Sequence, residues 1–256
     1  MLADLVQPII LGAVEGVTEF LPVSSTGHLI LLNQWISFGG PFTALFDIVI
    51  QLGAILAVVA YFWKKLWPIG RVWAKVGIAV IPALVLGSAL GSAIQEKLFN
   101  PYVVAGALVL GGAALILIEK KQHAPRIHSV SELPWRTAVY IGLFQCLALI
   151  PGTSRSAATI IGALLLGASR SAAVEFSFFL AIPTMLAAAG YSVLKHGTAV
   201  SSDEMAILSV GFITAFAAAL GVIKFFMGYI SKHDFKPFGY YRIALGAAVL
   251  LYFLVD

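Results

Sequence analysis

The chain has 256 residues, of which 60% are hydrophobic and only 11% charged, and its mean hydropathy is +0.97. Soluble globular domains run at about 45–50% apolar and about 25% charged, so this composition excludes a water-soluble enzyme: too little polar surface would be left to face solvent. Continuous apolar runs such as Val103 to Ile118 lack the alternation of a membrane β-barrel, and the expectation is an all-α polytopic membrane protein. The lone cysteine, Cys146, excludes an intramolecular disulfide and any multi-cysteine metal site, and its apolar neighbours mark it as packing. The amino-terminal apolar stretch, Leu5 to Val14, is read as part of the mature chain, because a cleaved signal needs a basic start and the only early charge is Asp4.

In chain order, the first apolar region, Leu11 to Leu32, is interrupted at Pro22-Val-Ser-Ser-Thr-Gly-His28. Spans follow at 43–63, 76–95 and 102–118. A second interrupted region, Tyr140 to Leu166, breaks at Pro151-Gly-Thr-Ser-Arg-Ser156, and spans follow at 172–194, 206–228 and 239–255. Proline stops a helix, and freed backbone groups at membrane depth are tolerated only inside protein or beside a watery cavity. Each interrupted region is therefore predicted to be a re-entrant helix pair.

The two halves lie over each other at a nearly constant offset. Gly12 matches Gly142, Glu15 matches Gln145, Pro22 matches Pro151, Asp47 matches Glu175, Tyr61 matches Tyr191, Lys64 matches Lys195 and Pro101 matches Pro237. One re-entrant pair plus three crossings per half gives six crossings, and an odd number per half inverts the second half. The chain is thus expected to be a single membrane domain over 1–256, an inverted-topology repeat of about 1–125 and about 130–256, with its site where the broken helices meet. Lys64, Lys65, Arg71, Lys75, Lys120, Lys121, Arg126, Arg136, Lys232, Lys236 and Arg242 fall on one side, whereas the other has only Lys97 and Lys195 among its cations. The positive-inside rule makes the basic side cytoplasmic, so both termini and the site face outward. The net charge of +4 is a topology label, with no sign of nucleic-acid binding.

Ionisable groups within apolar segments cost about 2.5–3.5 kcal/mol each even on the gentler insertion scale. Those here are Glu15, Glu19, His28, Asp47, Arg155 and Glu175. Glu15 and Glu19 share one helix face at i, i+4, and a divalent metal held by oxygen ligands would resolve their repulsion. Ser24 or Ser25 is expected to cap a helix, and Ser154, Arg155 and Ser156 to open another, giving two helix N-termini whose free amides bind anions. Arg155 adds a fork that matches phosphate oxygens. The combination predicts a site for a phosphate and its metal.

Glu15-Gly-Val-Thr-Glu19-Phe-Leu-Pro-Val-Ser-Ser25-Thr-Gly-His28 and Pro151-Gly-Thr-Ser-Arg155-Ser-Ala-Ala-Thr159 resemble the two signature motifs of the undecaprenyl pyrophosphate phosphatase, or bacitracin-resistance, family. The likeness extends over essentially the whole chain, through Val49 to Gly53, Phe144 to Ala148, Glu175 to Phe178 and Gly211 to Phe216. It implies an inner-membrane hydrolase that converts undecaprenyl pyrophosphate to the monophosphate carrier of peptidoglycan synthesis, with bacitracin resistance as a consequence.

On that reading Arg155 clamps phosphate with Ser24, Thr26, Ser154, Ser156 and Thr159, while Glu15 and Glu19 hold Mg²⁺ or Ca²⁺, or Glu19 acts as base. The nucleophile is open between Ser25 deprotonated by Glu19 or His28, His28 itself, and metal-bound water. Gln51, Asp47 and Glu175 are candidates to support the site, the latter two by orienting Arg155 or hydroxyls. The small-residue strings suit internal packing or a homodimer. A lipid-phosphate flippase is the competing reading, since inverted repeats with broken helices also build transporters; a purely structural scaffold gives no reason for charges at membrane depth.

Overall fold

The computed structural model describes residues 5–36, 38, 40–67, 70–120, 124–196 and 200–255. Its helices are α1 (Val6–Thr18), α2 (Ser25–Leu32), α3 (Gly40–Leu66), α4 (Gly70–Leu98), α5 (Pro101–Lys120), α6 (Trp135–Gln145), α7 (Arg155–Leu165), α8 (Arg170–His196), α9 (Ser202–Ile230) and α10 (Lys236–Val255). Six of them, α3, α4, α5, α8, α9 and α10, are long and apolar enough to cross a membrane, and each contains one of the predicted spans. Large apolar residues on their outer faces, such as Leu110, Ile213, Phe225 and Leu251, are exposed, as expected where the solvent is lipid. The protein is a helical polytopic membrane protein.

The other four helices are short. The longest, α1, has 13 residues, which at 1.5 Å per residue spans about 20 Å and falls short of the ~30 Å hydrocarbon core. Both interrupted regions stop and restart in the same way. After α1 the chain turns through Pro22 and restarts at Ser24, whose hydroxyl accepts from the Gly27 amide. After α6 it tightens into a 3-10 turn over Cys146–Leu149, passes Pro151 and restarts at Ser154, whose hydroxyl accepts from the Ala157 amide. Ser24 and Ser154 hold φ of 71° and 69°, and they are the non-glycine residues with positive φ among those described. Ser24, rather than Ser25, is thus the first cap, and Ser154 caps α7, which begins at Arg155.

α3 packs along α9, α5 along α10, α1 along α9 and α6 along α4. Glycines at the helix crossings make close backbone approach possible, Gly12 and Gly142 among them. A methyl on Gly12 would lie 2.5 Å from the Gly211 carbonyl oxygen of α9, and one on Gly142 would collide with the Ala79 carbonyl of α4. Small residues of this kind let helix backbones touch in a bilayer, where dispersion replaces the hydrophobic effect as the force between helices. Phe20, Phe62, Phe178, Phe179 and Phe226 fill the centre with edge-to-face and tilted ring contacts. At the basic end, the buried Glu119 carboxylate accepts from Arg170 at 2.9 and 2.6 Å and from the Phe235 amide at 3.0 Å. That triad pins α5, α8 and the connection between α9 and α10.

Candidate functional site

The two restarts meet. Ser156, at the first turn of α7, donates to the Leu21 carbonyl of the first turn at 2.9 Å, which brings both N-termini to one place. Glu19, the residue that ends α1, lies between them. One carboxylate oxygen, Oε2, accepts from Ser25 Oγ at 2.8 Å, and the other, Oε1, accepts from Arg155 Nη2 at 2.9 Å. The Arg155–Glu19 side chains are about one-tenth exposed (10% and 12%), so this pair is largely shielded from solvent screening.

Arg155 is held from behind by α8 and by the Phe20 ring. Its Nη1 donates to the Ser177 carbonyl of α8 at 3.1 Å, its Nη2 reaches Met185 Sδ at 3.8 Å, and the guanidinium lies 5.9 Å from the centre of the Phe20 ring. Thr159 Oγ1 is 2.6 Å from Ser177 Oγ, so Thr159 anchors the α8 strut of Arg155 instead of facing the cavity. Ser154 Oγ and Ser156 Oγ are 3.0 Å apart.

A cavity of about 820 Å³ opens beside this cluster, lined by Glu19, Ser24, Ser25, Thr26, Gln51, Ser154 and Arg155 together with small residues of α4 and α8. One wall holds the charged and hydroxyl groups. The α4 and α8 lining, which includes Ala83, Gly87, Gly91 and Ala188, is built of small and apolar residues with Ser88, Ser92 and Thr184 among them.

The remaining candidates sit outside that cavity. Glu15 is fully buried behind Glu19, and neither of its oxygens has a hydrogen-bond partner. Asp47 is half-buried, with Oδ1 unpartnered. His28 faces α10: its Nδ1 is 2.8 Å from the Ser24 carbonyl and its Nε2 is 2.6 Å from Tyr241 Oη. Glu175 does not pair with Arg155; its carboxylate pairs instead with Lys65 Nζ of α3 at 2.9 Å. Among the described residues no three His, Cys, Asp or Glu side chains converge on a point that could hold a metal; Glu15 and Glu19 remain a two-carboxylate set.

The placement of one basic residue also differs from expectation. Arg242, counted above with the basic loop residues, lies inside α10 and is completely buried. Its position within an apolar span was a legible signal, masked by Lys232 and Lys236 just before it. Gln145, the counterpart of Glu15 and 2% exposed, also lines the cavity with Thr184, which contacts its Oε1 at 3.2 Å; no motif reading had singled either out for the site.

Six long apolar helices around a half-buried cluster of hydroxyls, an arginine and carboxylates at two paired helix restarts define a polytopic membrane protein with an internal polar site. A family model for bacitracin resistance protein BacA matches residues 8–248. The chain belongs to that family. It is 50% identical to undecaprenyl-diphosphatase 1 of Clostridioides difficile (strain 630), over 99% of this chain and 98% of that one. It is also 47% identical to the undecaprenyl-diphosphatase of Lachnoclostridium phytofermentans over 98% of each chain, and 46% identical to that of Enterococcus faecalis over 97% of this chain and 96% of that one.

Proposed function

We propose that this protein is an undecaprenyl-diphosphatase, hydrolysing the isoprenyl diphosphate to the monophosphate carrier and phosphate. The family and its full-length relatives support the activity. The observation that carries the site is Glu19, which bridges Ser25 and Arg155 through its two oxygens.

That bridge gives each residue a task. Phosphoryl transfer asks the protein mainly for positioning and charge stabilisation. Arg155, with the α2 and α7 N-terminal amides, takes the terminal phosphate oxygens, and Ser24, Thr26 and Ser154 surround them, while Ser156, buried and bonded to the Leu21 carbonyl, joins the two restarts. Ser25 already donates its proton toward Glu19, the arrangement of an activated serine. Its Oγ attacks the terminal phosphorus, Glu19 accepts the proton and passes it to the departing oxygen, and the anhydride bond breaks to release the isoprenyl monophosphate. Water then cleaves the phosphoserine, with Glu19 taking the water's proton and returning one to Ser25. His28 is engaged on both ring nitrogens away from Ser25, which favours the serine over the histidine as nucleophile. Glu15 and Glu19 would hold a divalent cation, Mg²⁺ or Ca²⁺: two unpartnered buried oxygens on Glu15 beside a second carboxylate suit a hard cation completed by water and phosphate. Such an ion supplies charge neutralisation on the diphosphate.

The chain is also read as an inverted repeat with two re-entrant pairs and an outward-facing site. Supporting this, exchanging the halves turns the α1–α9 packing into α6–α4, and α5–α7 into α10–α2; Gly12 and Gly142, and Ser24 and Ser154, exchange likewise.

Purified protein with Mg²⁺ is expected to release phosphate from a long-chain isoprenyl diphosphate, to lose that release on chelation and to recover it on Mg²⁺ addition. Arg155→Ala and Glu19→Ala should each lower the rate by about 10²-fold or more, the cost of removing one transition-state donor or the base. Undiminished release in both variants would overturn the site. Mass spectrometry on protein quenched during turnover should find phosphate on Ser25, under conditions that also preserve phosphohistidine.

A further inference from the structure

Arg242 is a buried cation with an unusual set of partners. Its Nη1 donates to the Pro22 carbonyl at 3.3 Å, its Nη2 to the carbonyls of Gly152 at 3.1 Å, Thr153 at 2.9 Å and Ala107 at 3.0 Å, and its Nε to the Leu108 carbonyl at 3.3 Å. One side chain thus joins both turns that precede the restarts of α2 and α7, and fixes them to α5. Pro22 is two residues before the Ser24 cap, and Thr153 is the residue before the Ser154 cap. The turns carry Glu19, Ser25 and Arg155 on opposite sides of the joint, so the separation of nucleophile, base and phosphate clamp is set where Arg242 grips.

Gly111 is the second half of the device. A methyl group there would collide with Arg242 Nη2 and lie 2.8 Å from its Cζ. Glycine at 111 leaves the space the guanidinium occupies, and the three atoms nearest to a methyl there all belong to the far end of the Arg242 side chain. No carboxylate forms an ion pair with Arg242 among the described residues, and its five contacts are all to backbone carbonyls. The group is built for geometry, since a fork with fixed donor directions can hold two peptide turns in register and an ammonium cannot.

We propose that Arg242, seated against Gly111, is the positioning residue for the diphosphatase reaction: it touches no substrate but holds the two turns so that Ser25 and Glu19 face Arg155 at reacting distance. This rests on the activity proposed above. Misplacing reacting groups by about 1 Å costs on the order of 10²-fold in rate. Arg242→Lys keeps the charge and loses the fork; Gly111→Ala keeps Arg242 and displaces it with the mildest backbone disturbance. Both should lower kcat by about 10²-fold with KM nearly unchanged and the thermal midpoint of the detergent-solubilised protein close to wild type. In addition, nitroxide labels at Gln34 and Leu165, exposed positions just past α2 and at the end of α7, placed in a Cys146→Ser background, should give a narrow distance distribution that broadens in both variants.

Wild-type kcat in folded Gly111→Ala would overturn the inference even if Arg242→Lys fails to fold, and so would an unchanged distance distribution. A parallel rise in KM with kcat intact would instead assign Arg242 to substrate binding and also overturn it. If the wild type releases no phosphate, the activity proposal fails, and the spin-label distances decide the clamp on their own.

Discussion

Ser24 and Ser154 show how much the site demands of single residues. Each occupies a positive φ that favours glycine, at a cost of order 1–3 kcal/mol, and each is retained because its hydroxyl caps the helix that begins at the next residue. Glycine would relieve the backbone and lose the cap; alanine would keep the strain and lose the cap as well. Ser154→Ala is therefore expected to destabilise the protein by about 1 kcal/mol, within the range for a lost N-cap, and Ser154→Gly by less, measured as shifts in the thermal midpoint in detergent. An equal effect of the two substitutions would deny the backbone its part. At this scale the motifs made Glu19, Ser25 and Arg155 legible, because ionisable and hydroxyl groups have no cheap reason to lie in apolar sequence. What spacing could not show was which carboxylate oxygen meets which partner, or that Glu175 turns to Lys65 while Ser177 and Met185, ordinary residues of α8, brace the arginine.

Among the elements, length did most of the work. Six apolar runs long enough to span were readable as helices, and proline with a hydroxyl cluster marked where two others stop. The ends differed by a few residues because helices continue past the apolar run: α3 carries Lys64 and Lys65 in its last turn. Contacts between elements were not readable, since Gly12 and Gly142 look like any other glycine until the facing carbonyl is known. Gly142→Leu should push α6 from α4 and displace the turn that follows it, destabilising by about 1–3 kcal/mol or more as an overpacked site and lowering phosphate release with it. Gly77→Leu on α4, an exposed position where an added Cβ would meet nothing within 4 Å, is the matched control and should change neither.

For the whole molecule, the basic end coincides with the Glu119–Arg170–Phe235 triad and the Lys65–Glu175 pair, while the cavity and the two restarts lie away from it along the helices. With Arg242 moved from the loops to the interior, the charge asymmetry still favours placing that end in the cytoplasm. Single cysteines in a Cys146→Ser background test this: one at Arg126 should resist a membrane-impermeant maleimide in intact cells, and one at Asp203 should react. The reverse pattern would invert the orientation.

Arg242 also sets an order of events during synthesis. Its partner carbonyl at Pro22 was made 220 residues earlier in the chain, a delay of roughly 10–45 s at ordinary translation speeds. Until α10 enters the bundle, the carbonyls of both turns lack the donor that gathers them, and the two restarts are joined by the Ser156–Leu21 bond and the Glu19–Arg155 pair without that clamp. A truncated chain ending before α10 would hold every motif residue and lack the clamp, and it should release phosphate far more slowly than the full chain in the same assay.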